Sequence, residues 1–322
     1  MIGCGEQGRQ LVSSLGEVPE TQLVACCDPN SAALNALPGD SVSRFADYQS
    51  MLRQVDLDAV IVATLHSALA DAAVVALDSG HHTFCEKPMG TTAADARRVV
   101  QAARQNGVNL MVGYIQRFDP LRQRMKEYLD CDAFGELAYV VAGKGGPPLE
   151  REWQRSRTHG GGQLLWVGSH LVDQLHWLLG RRVERVFAEI RRSPDSGIDL
   201  TTVATLRFEG GLVTHFDCSS ATDDVYDYVE PVGLDGRGRS EWRPNYGLKV
   251  RSRRVLPFSS PSELADNPPT LERACVAELT EFANSIREAR QPCVTGDDAL
   301  RVLEVLDAIT LSAETGQPVT LQ

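Results

Sequence analysis

Lysine is almost missing from this chain. Only Lys87, Lys126, Lys144 and Lys249 occur among 322 residues, and the 32 basic residues face 43 acidic ones. The net charge of −11 argues against nucleic acid or an anionic membrane as partner. No apolar run approaches the roughly 20 residues that a membrane helix needs. The N-terminus lacks a basic segment followed by an apolar one, so no secretory leader is expected. The eight cysteines form no C-x-x-C pair and have no regular spacing, so neither a zinc site nor a disulfide framework is indicated. The histidines are scattered and suggest no metal cluster. A reduced, cytoplasmic protein is expected. Its hydrophobic content of 43% and charged content of 23% are those of a globular chain.

What is present falls into two halves. Residues 22–27, 59–63, 82–85 and 109–112 are short, continuous apolar runs, which suit parallel strands buried on both faces. Between them, residues 67–79 and 92–106 are alanine-rich with helical period. Ser67 and Thr92 are candidate N-caps, and Gly80 and Gly107 candidate C′ residues. This alternation predicts a parallel, Rossmann-type α/β domain over 1–118. Beyond it, 137–142, 183–190, 202–208 and 212–218 read as longer, partly alternating strands, with Glu209-Gly210-Gly211 a hairpin turn. A helix is expected over 171–179, an irregular Ser/Pro-rich excursion over 252–270, and two helices over 272–290 and 297–315. The second domain, 119–322, is therefore an α+β domain with an open, mostly antiparallel sheet. Its C-terminal helix is expected to pack back on the first domain.

Gly3-Cys4-Gly5-Glu6-Gln7-Gly8 fits the G-x-G-x-x-G pattern at a helix start, and Asp28 ends the next apolar run, twenty residues after Gly8. The first glycine makes the turn, the second admits a pyrophosphate, and the third allows close helix–strand packing. The helix N-terminus stabilises phosphate charge. Asp28 suits a ribose 2′-hydroxyl, and Pro29-Asn30 offers no cation to a 2′-phosphate, so NAD is expected over NADP. A flavodoxin-like turn with an N-capping Asp28 is the bland alternative. Only Met1 and Ile2 precede the glycines. Either the sheet pairs with a stub or the chain's start lies upstream.

Glu86-Lys87-Pro88 follows the third apolar run. A lysine at a strand mouth, fixed by proline and preceded by an acid, can stabilise charge on a substrate oxygen. It can equally snorkel to solvent from a strand-to-helix turn. A second unusual stretch runs from Gly160-Gly161-Gly162 through Trp166 to His170 and Asp173. His170 and Asp173 lie one helical turn apart, so the carboxylate could orient the ring of a general acid/base. A surface or core hydrogen bond would give the same spacing. His159, beside the glycine run, could line a pocket. His176, beside Trp177, Leu178 and Leu179, reads as a packed core histidine.

Taken in order, the glycine turn, Asp28, Glu86-Lys87-Pro88, Gly113-Tyr-Ile-Gln-Arg117-Phe118, the Gly160–His170–Asp173 stretch and Ser312-Ala-Glu-Thr-Gly316-Gln-Pro318-Val319 resemble the Gfo/Idh/MocA family. That family comprises NAD(P)-dependent oxidoreductases such as inositol and glucose–fructose oxidoreductases, and the resemblance spans the whole chain. It implies a Rossmann domain followed by an open-sheet domain that joins dimers or tetramers. It also implies sugar, cyclitol or related polyol substrates. By resemblance, Lys87 binds the reacting hydroxyl, His170 is the acid/base, and Thr64 lies beside the cofactor with Gly3, Gly5, Glu6, Gln7, Gly8, Asp28 and Glu86. A cis Lys87–Pro88 bond is implied as well. Arg117, Trp153, His159, Trp166, His170 and Asp173, with Lys87, are the candidate substrate-binding residues.

Two departures stand out. Members often carry an aspartate four residues before the histidine, where this chain has Trp166. They often read T-P-x-x-x-H after the second of the four apolar runs, where this chain has Leu65 and Leu69. A tryptophan can stack on a sugar or aromatic ring. The expected activity is hydride transfer between NAD and a secondary alcohol. The alternatives are an NAD-binding regulator without turnover, or NAD-assisted glycoside cleavage. The loops at 144–162 and 222–270 are expected to select the substrate.

Overall fold

Ile2 is the centre of the first sheet. In the computed structural model, which describes all residues except 38, 40, 157, 244, 256–270 and 322, the chain divides into two compact units. The first comprises Met1–Ile115 with Thr270–Arg301, the second Gln116–Pro269 with Val302–Gln322.

In the first unit, β1 (Ala25–Cys27) pairs in parallel with β2 (Ser43–Phe45), and β3 (Ala59–Val62), β4 (His82–Cys85) and β5 (Leu110–Val112) form a second parallel set. Single-residue bridges from Ile2 to Cys27 and to Val62 join the two sets. The stub donates from Ile2 to Ile61 and from Gly3 to Cys27, and accepts at Met1 from Cys27 and at Ile2 from Ala63, each at 2.8 Å. A single residue of strand thus satisfies both neighbours in the middle of the sheet. The strands read as continuous apolar runs because both faces are covered: Val60, Val62, Phe84, Cys85, Met111 and Val112 are fully buried.

Helices α1 (Glu6–Leu15), α2 (Ser31–Asn35), α3 (Tyr48–Gln54), α4 (His66–Asp78) and α5 (Ala93–Asn106) connect these strands. Thr92 caps α5 by accepting from Asp95 N, and Gly107 ends it in the left-handed region at φ 65°. Ser67 is not a cap. Helix α4 begins at His66, whose side chain is buried, and the N-cap is Leu65 with extended backbone. The turn after β3 therefore closes earlier than the hydroxyl suggests. Helix α8 (Leu271–Arg287) packs against α1 in this unit.

The second unit is built on an eight-stranded sheet in the order β12-β11-β10-β6-β9-β8-β7-β13. Its strands are β6 (Leu137–Gly145), β7 (Val183–Arg192), β8 (Asp199–Phe208), β9 (Val213–Ser219), β10 (Tyr226–Gly233), β11 (Gly236–Arg243), β12 (Gly247–Ser252) and β13 (Val319–Thr320). Only β6–β9 is parallel; every other pair is antiparallel. The predicted turn at Glu209–Gly211 joins β8 to β9, with Gly210 and Gly211 at φ 76° and 85°. Strand alternation sends Val186, Ala188, Ala204, Leu206 and Phe216 inward, and α6 (Pro120–Asp130) and α7 (Ser169–Leu179) pack on the sheet. Helix α9 (Gly296–Thr315) begins in the first unit and ends in the second.

Of the residues 222–270, expected to form a substrate-selecting loop, 226–252 are mostly strand, as β10, β11 and β12. The buried positions of these strands include Asp227, Pro231, Gly238 and Ser240 beside Val229 and Leu248, so the strand period carries no apolar alternation. The rest of the expected excursion, 256–270, lies outside the described residues.

Candidate active site

The glycine turn is enforced by backbone contact. Gly3 has φ 92°, and a Cβ there would stand 2.3 Å from the Ala63 carbonyl oxygen; a Cβ on Gly8 would stand 2.1 Å from that of Gly3. Only glycine fits either position. Gly5 is the N-cap of α1 and nothing lies within 4 Å of where its Cβ would be. An open backbone at a helix N-terminus is what a phosphate needs. Asp28 is tied to this turn. One carboxylate oxygen accepts from Cys4 N and the other from Asn30 N, both at 2.8 Å. Lone pairs on both oxygens still remain for hydroxyl donors.

Glu86 and Gln7 connect the turn to the lysine. Gln7 Nε2 donates to Glu86 Oε1 at 2.8 Å, and Lys87 N donates to Glu86 Oε2 at 3.2 Å. Glu86 is 7% exposed. Burial pushes its carboxyl above the usual range, against the opposing pull of the Lys87 ammonium and these hydrogen bonds. A Cβ on Gly113 would stand 3.2 Å from Glu86 Oε2, so the glycine leaves room for this acid. The Lys87–Pro88 peptide is cis. Thr64 is half-buried beside the turn, with its hydroxyl on the Leu65 carbonyl at 3.3 Å, and Leu69 lies fully in the core.

In the second unit the glycine run leads into a π-turn, Leu164–Gly168, that continues as α7. Such wide turns cluster at functional sites. Asp199, from the start of β8, accepts from Leu164 N at 2.5 Å. It is 5% exposed, and burial raises its pKa despite that bond. Gly162, at φ 82°, makes room for it: a Cβ would stand 2.1 Å from Asp199 Oδ1. Asp199 went unnoticed in the sequence, since no spacing rule links residues 35 apart.

The π-turn buries Leu164, Leu165 and Gly168 and leaves Trp166 and Val167 half-exposed; His170 is half-exposed one turn on. The Trp166 ring meets that of Trp153 edge-to-face, with centroids 5.6 Å apart at 77°. His159 is exposed, its Nδ1 2.9 Å from the Ser156 hydroxyl. The Asp173 carboxylate, one helical turn from His170, is gripped by Arg117. Its Nε lies 3.1 and 3.0 Å from the two Asp173 oxygens, and its Nη2 lies 2.5 Å from one of them. The adjacent residues repeat the link: Gln174 donates to Gln116, which donates on to Asp227 at 2.5 Å. Asp227 also binds Arg122 and Lys144. Burial raises its pKa, but these cations outweigh that and hold it below the usual range.

A cavity of about 730 Å³ in this unit, lined by Phe134, Glu136, Arg181 and Glu209 among others, includes none of the candidate residues. Among the described residues no His/Cys/Asp/Glu group could hold a metal, and no helix is long and apolar enough to cross a membrane.

Comparison with known proteins decides the affiliation. Residues 1–114 match the oxidoreductase family with an NAD-binding Rossmann fold, and residues 122–237 match the GFO/IDH/MocA C-terminal domain. The chain belongs to the GFO/IDH/MocA oxidoreductase family. A dTDP-3,4-didehydro-2,6-dideoxy-alpha-D-glucose 3-reductase from Saccharopolyspora spinosa is 32% identical over 94% of this chain and 92% of its own length. A D-xylose 1-dehydrogenase (NADP(+)) from Haloferax volcanii is 26% identical over 100% and 98%. The WlbA dehydrogenase from Bordetella pertussis, solved with NADH and UDP-GlcNAcA, superposes with a TM-score of 0.87 at 24% identity, covering 100% of this chain and 95% of that one. The family's two-domain fold, a parallel Rossmann region and an open, mostly antiparallel sheet, is the one found here. The family's nicotinamide cofactor finds fitting residues in the first unit: an open helix N-terminus at Gly5 and a carboxylate, Asp28, beside it.

Proposed function

We propose that the protein is a dehydrogenase that transfers a hydride between NAD and a secondary alcohol of a sugar, cyclitol or related polyol. The observation that carries this is the Gln7–Glu86–Lys87 connection, which joins a nucleotide turn to a lysine suited to an alcohol oxygen. The cofactor supplies the hydride acceptor. Gly3, Gly5, Glu6, Gln7 and Gly8 hold its phosphates at the α1 N-terminus, Thr64 lies beside it, and Asp28 takes the ribose hydroxyls. A 2′-phosphate would meet the Asp28 carboxylate, which favours NAD over NADP.

In this reading His170 takes the hydroxyl proton as the carbinol C–H bond breaks. Lys87 stabilises the charge that forms on the oxygen. Arg117 and Asp173, locked to one another, fix the helix that carries His170; Trp153, His159 and Trp166 border the substrate. The names of the relatives support the substrate class: a dTDP-sugar reductase and a xylose dehydrogenase.

The open face of the second sheet carries Tyr139, Phe187, Val203 and Val213, each about two-fifths exposed. That apolar face supports assembly into a homodimer or homotetramer, and a cytoplasmic location accords with eight free cysteines. Light scattering reading a monomer would remove the assembly.

A sugar and polyol panel with NAD, followed by the near-ultraviolet absorbance of reduced nicotinamide, tests the activity. The expected result is NADH formation that Lys87→Ala abolishes. Trp166, at a position where relatives often carry an acid, favours one rival: an NAD-binding regulator. NAD binding with no turnover on the whole panel would establish that rival.

A further inference from the structure

Trp153 and Trp166, both half-exposed, form an aromatic pair at the edge of the second unit's core. Edge-to-face contact covers one ring face with the other ring's edge and leaves most of both faces uncovered by the pair. Exposure along the turn is selective: Leu164, Leu165, Gly168, Ser169, Leu171 and Val172 are buried, and Trp166, Val167 and His170 are half-exposed. Trp166 and His170 stand four residues apart, so one accessible stripe carries an indole beside an imidazole.

The turn that presents Trp166 is built to hold its place. Asp199, itself buried, accepts from Leu164 N at 2.5 Å. A Cβ on Gly160 would stand 2.4 Å from the Trp153 carbonyl oxygen, which fixes the backbone of the second indole against the glycine run. Gly168 packs on Leu164, Phe216 and Cys218. A packing role alone would have sunk these indoles among Leu164, Leu165 and Phe216.

We propose that Trp166, with Trp153 as its brace, is a binding shelf for the face of a neutral six-membered ring that bears the reacting alcohol. This deepens the dehydrogenase reading and rests on it. The shared chemistry is a ring that offers C–H bonds or a π-face to the indole, as an all-equatorial cyclitol, a pyranose or an arene-derived cyclohexadienediol does. An acyclic polyol has no such face. With the ring on the shelf, its hydroxyl edge is turned toward His170 along the same stripe. Trp166 is thereby a specificity-determining residue, and the proton work belongs to His170.

The test is intrinsic fluorescence of NAD-loaded protein in which Trp177 and Trp242 are replaced by phenylalanine, leaving the pair as reporter. Inositols, pyranoses, a cyclohexadienediol and erythritol are titrated in turn. The expected result is saturable quenching by at least one ring compound and none by erythritol. Trp166→Ala weakens that ring compound roughly tenfold or more, scored by the competition it offers in turnover, and Trp166→Phe holds it within about threefold. The ring that binds tells cyclitol or sugar from arene diol. The shelf is overturned if no ring compound quenches, if erythritol binds as tightly, or if Trp166→Ala leaves KM for the ring unchanged. Turnover independent of Trp166 removes the shelf and spares the dehydrogenase; Trp166-dependent quenching without reduced nicotinamide removes the dehydrogenase and spares the shelf.

Discussion

Removing the Asp173 carboxylate is the sharpest probe of how the helix that carries His170 is held. Arg117 is 7% exposed and Asp173 1%, and two guanidinium nitrogens engage both carboxylate oxygens. In Asp173→Ala the buried guanidinium loses this carboxylate, which costs about 3–5 kcal/mol. At about 2–4 °C per kcal/mol for a unit of this size, Tm falls by about 6–20 °C. Asp71→Ala is the exposed control: one Arg98 nitrogen lies 2.6 Å from one Asp71 oxygen, and both side chains are more than half exposed. Water and salt screen this pair, so its loss costs at most about 1 kcal/mol. Replacing both Arg117 and Asp173 by leucine removes both charges together, so the double variant should be more stable than the sum of the singles predicts. Calorimetry on the two alanine variants, the two leucine singles, the leucine double and the parent checks this. If Asp173→Ala melts no lower than Asp71→Ala, or the leucine costs simply add, burial is not what makes this pair matter.

Asp28→Ser should raise the NADP-to-NAD ratio of kcat/KM at least about tenfold, because the repelling carboxylate is gone and Arg9 lies nearby, 3.3 Å from the Cys4 carbonyl; an unchanged ratio counts against Asp28 as the cofactor selector. Glu86 has a folded pKa above its unfolded value near 4.3. Its contribution to stability is therefore full below that value and is lost as pH rises through the folded pKa. Tm of Glu86→Gln minus that of the parent should climb as pH is raised from about 4, and a flat difference would contradict the buried acid. Gly162→Ala should cost at least about 2 kcal/mol in urea unfolding, from a strained φ and a clash with Asp199; a neutral result would mean that the glycine run is not held by that carboxylate.

Local patterns carried most of the fold. The four buried runs of the first unit became strands because both faces are covered, and Thr92 and Gly107 marked the ends of α5 because cap chemistry is local. The strands β10 to β12 escaped notice because their buried positions, Asp227, Pro231, Gly238 and Ser240 among them, form no apolar series. Within the candidate site, the glycine turn was legible from its spacing, and Glu86 and Lys87 from their place at a strand mouth. The grip of Arg117 on Asp173, 56 residues apart, was not. Asp199 left no trace for the same reason: its partner is brought to it by the sheet, not by the chain.

The proposed reaction moves a hydride from an alcohol carbon to NAD. Supplying the alcohol that turns over in the panel with deuterium at its carbinol carbon, and analysing the coenzyme by mass spectrometry, tests it directly. The reduced coenzyme should carry that deuterium at the nicotinamide ring, and in Lys87→Ala or His170→Ala its formation should slow by about 10²-fold or more. Product formed with no deuterium in the coenzyme, or label transferred at the same rate without Lys87 and His170, would contradict the account.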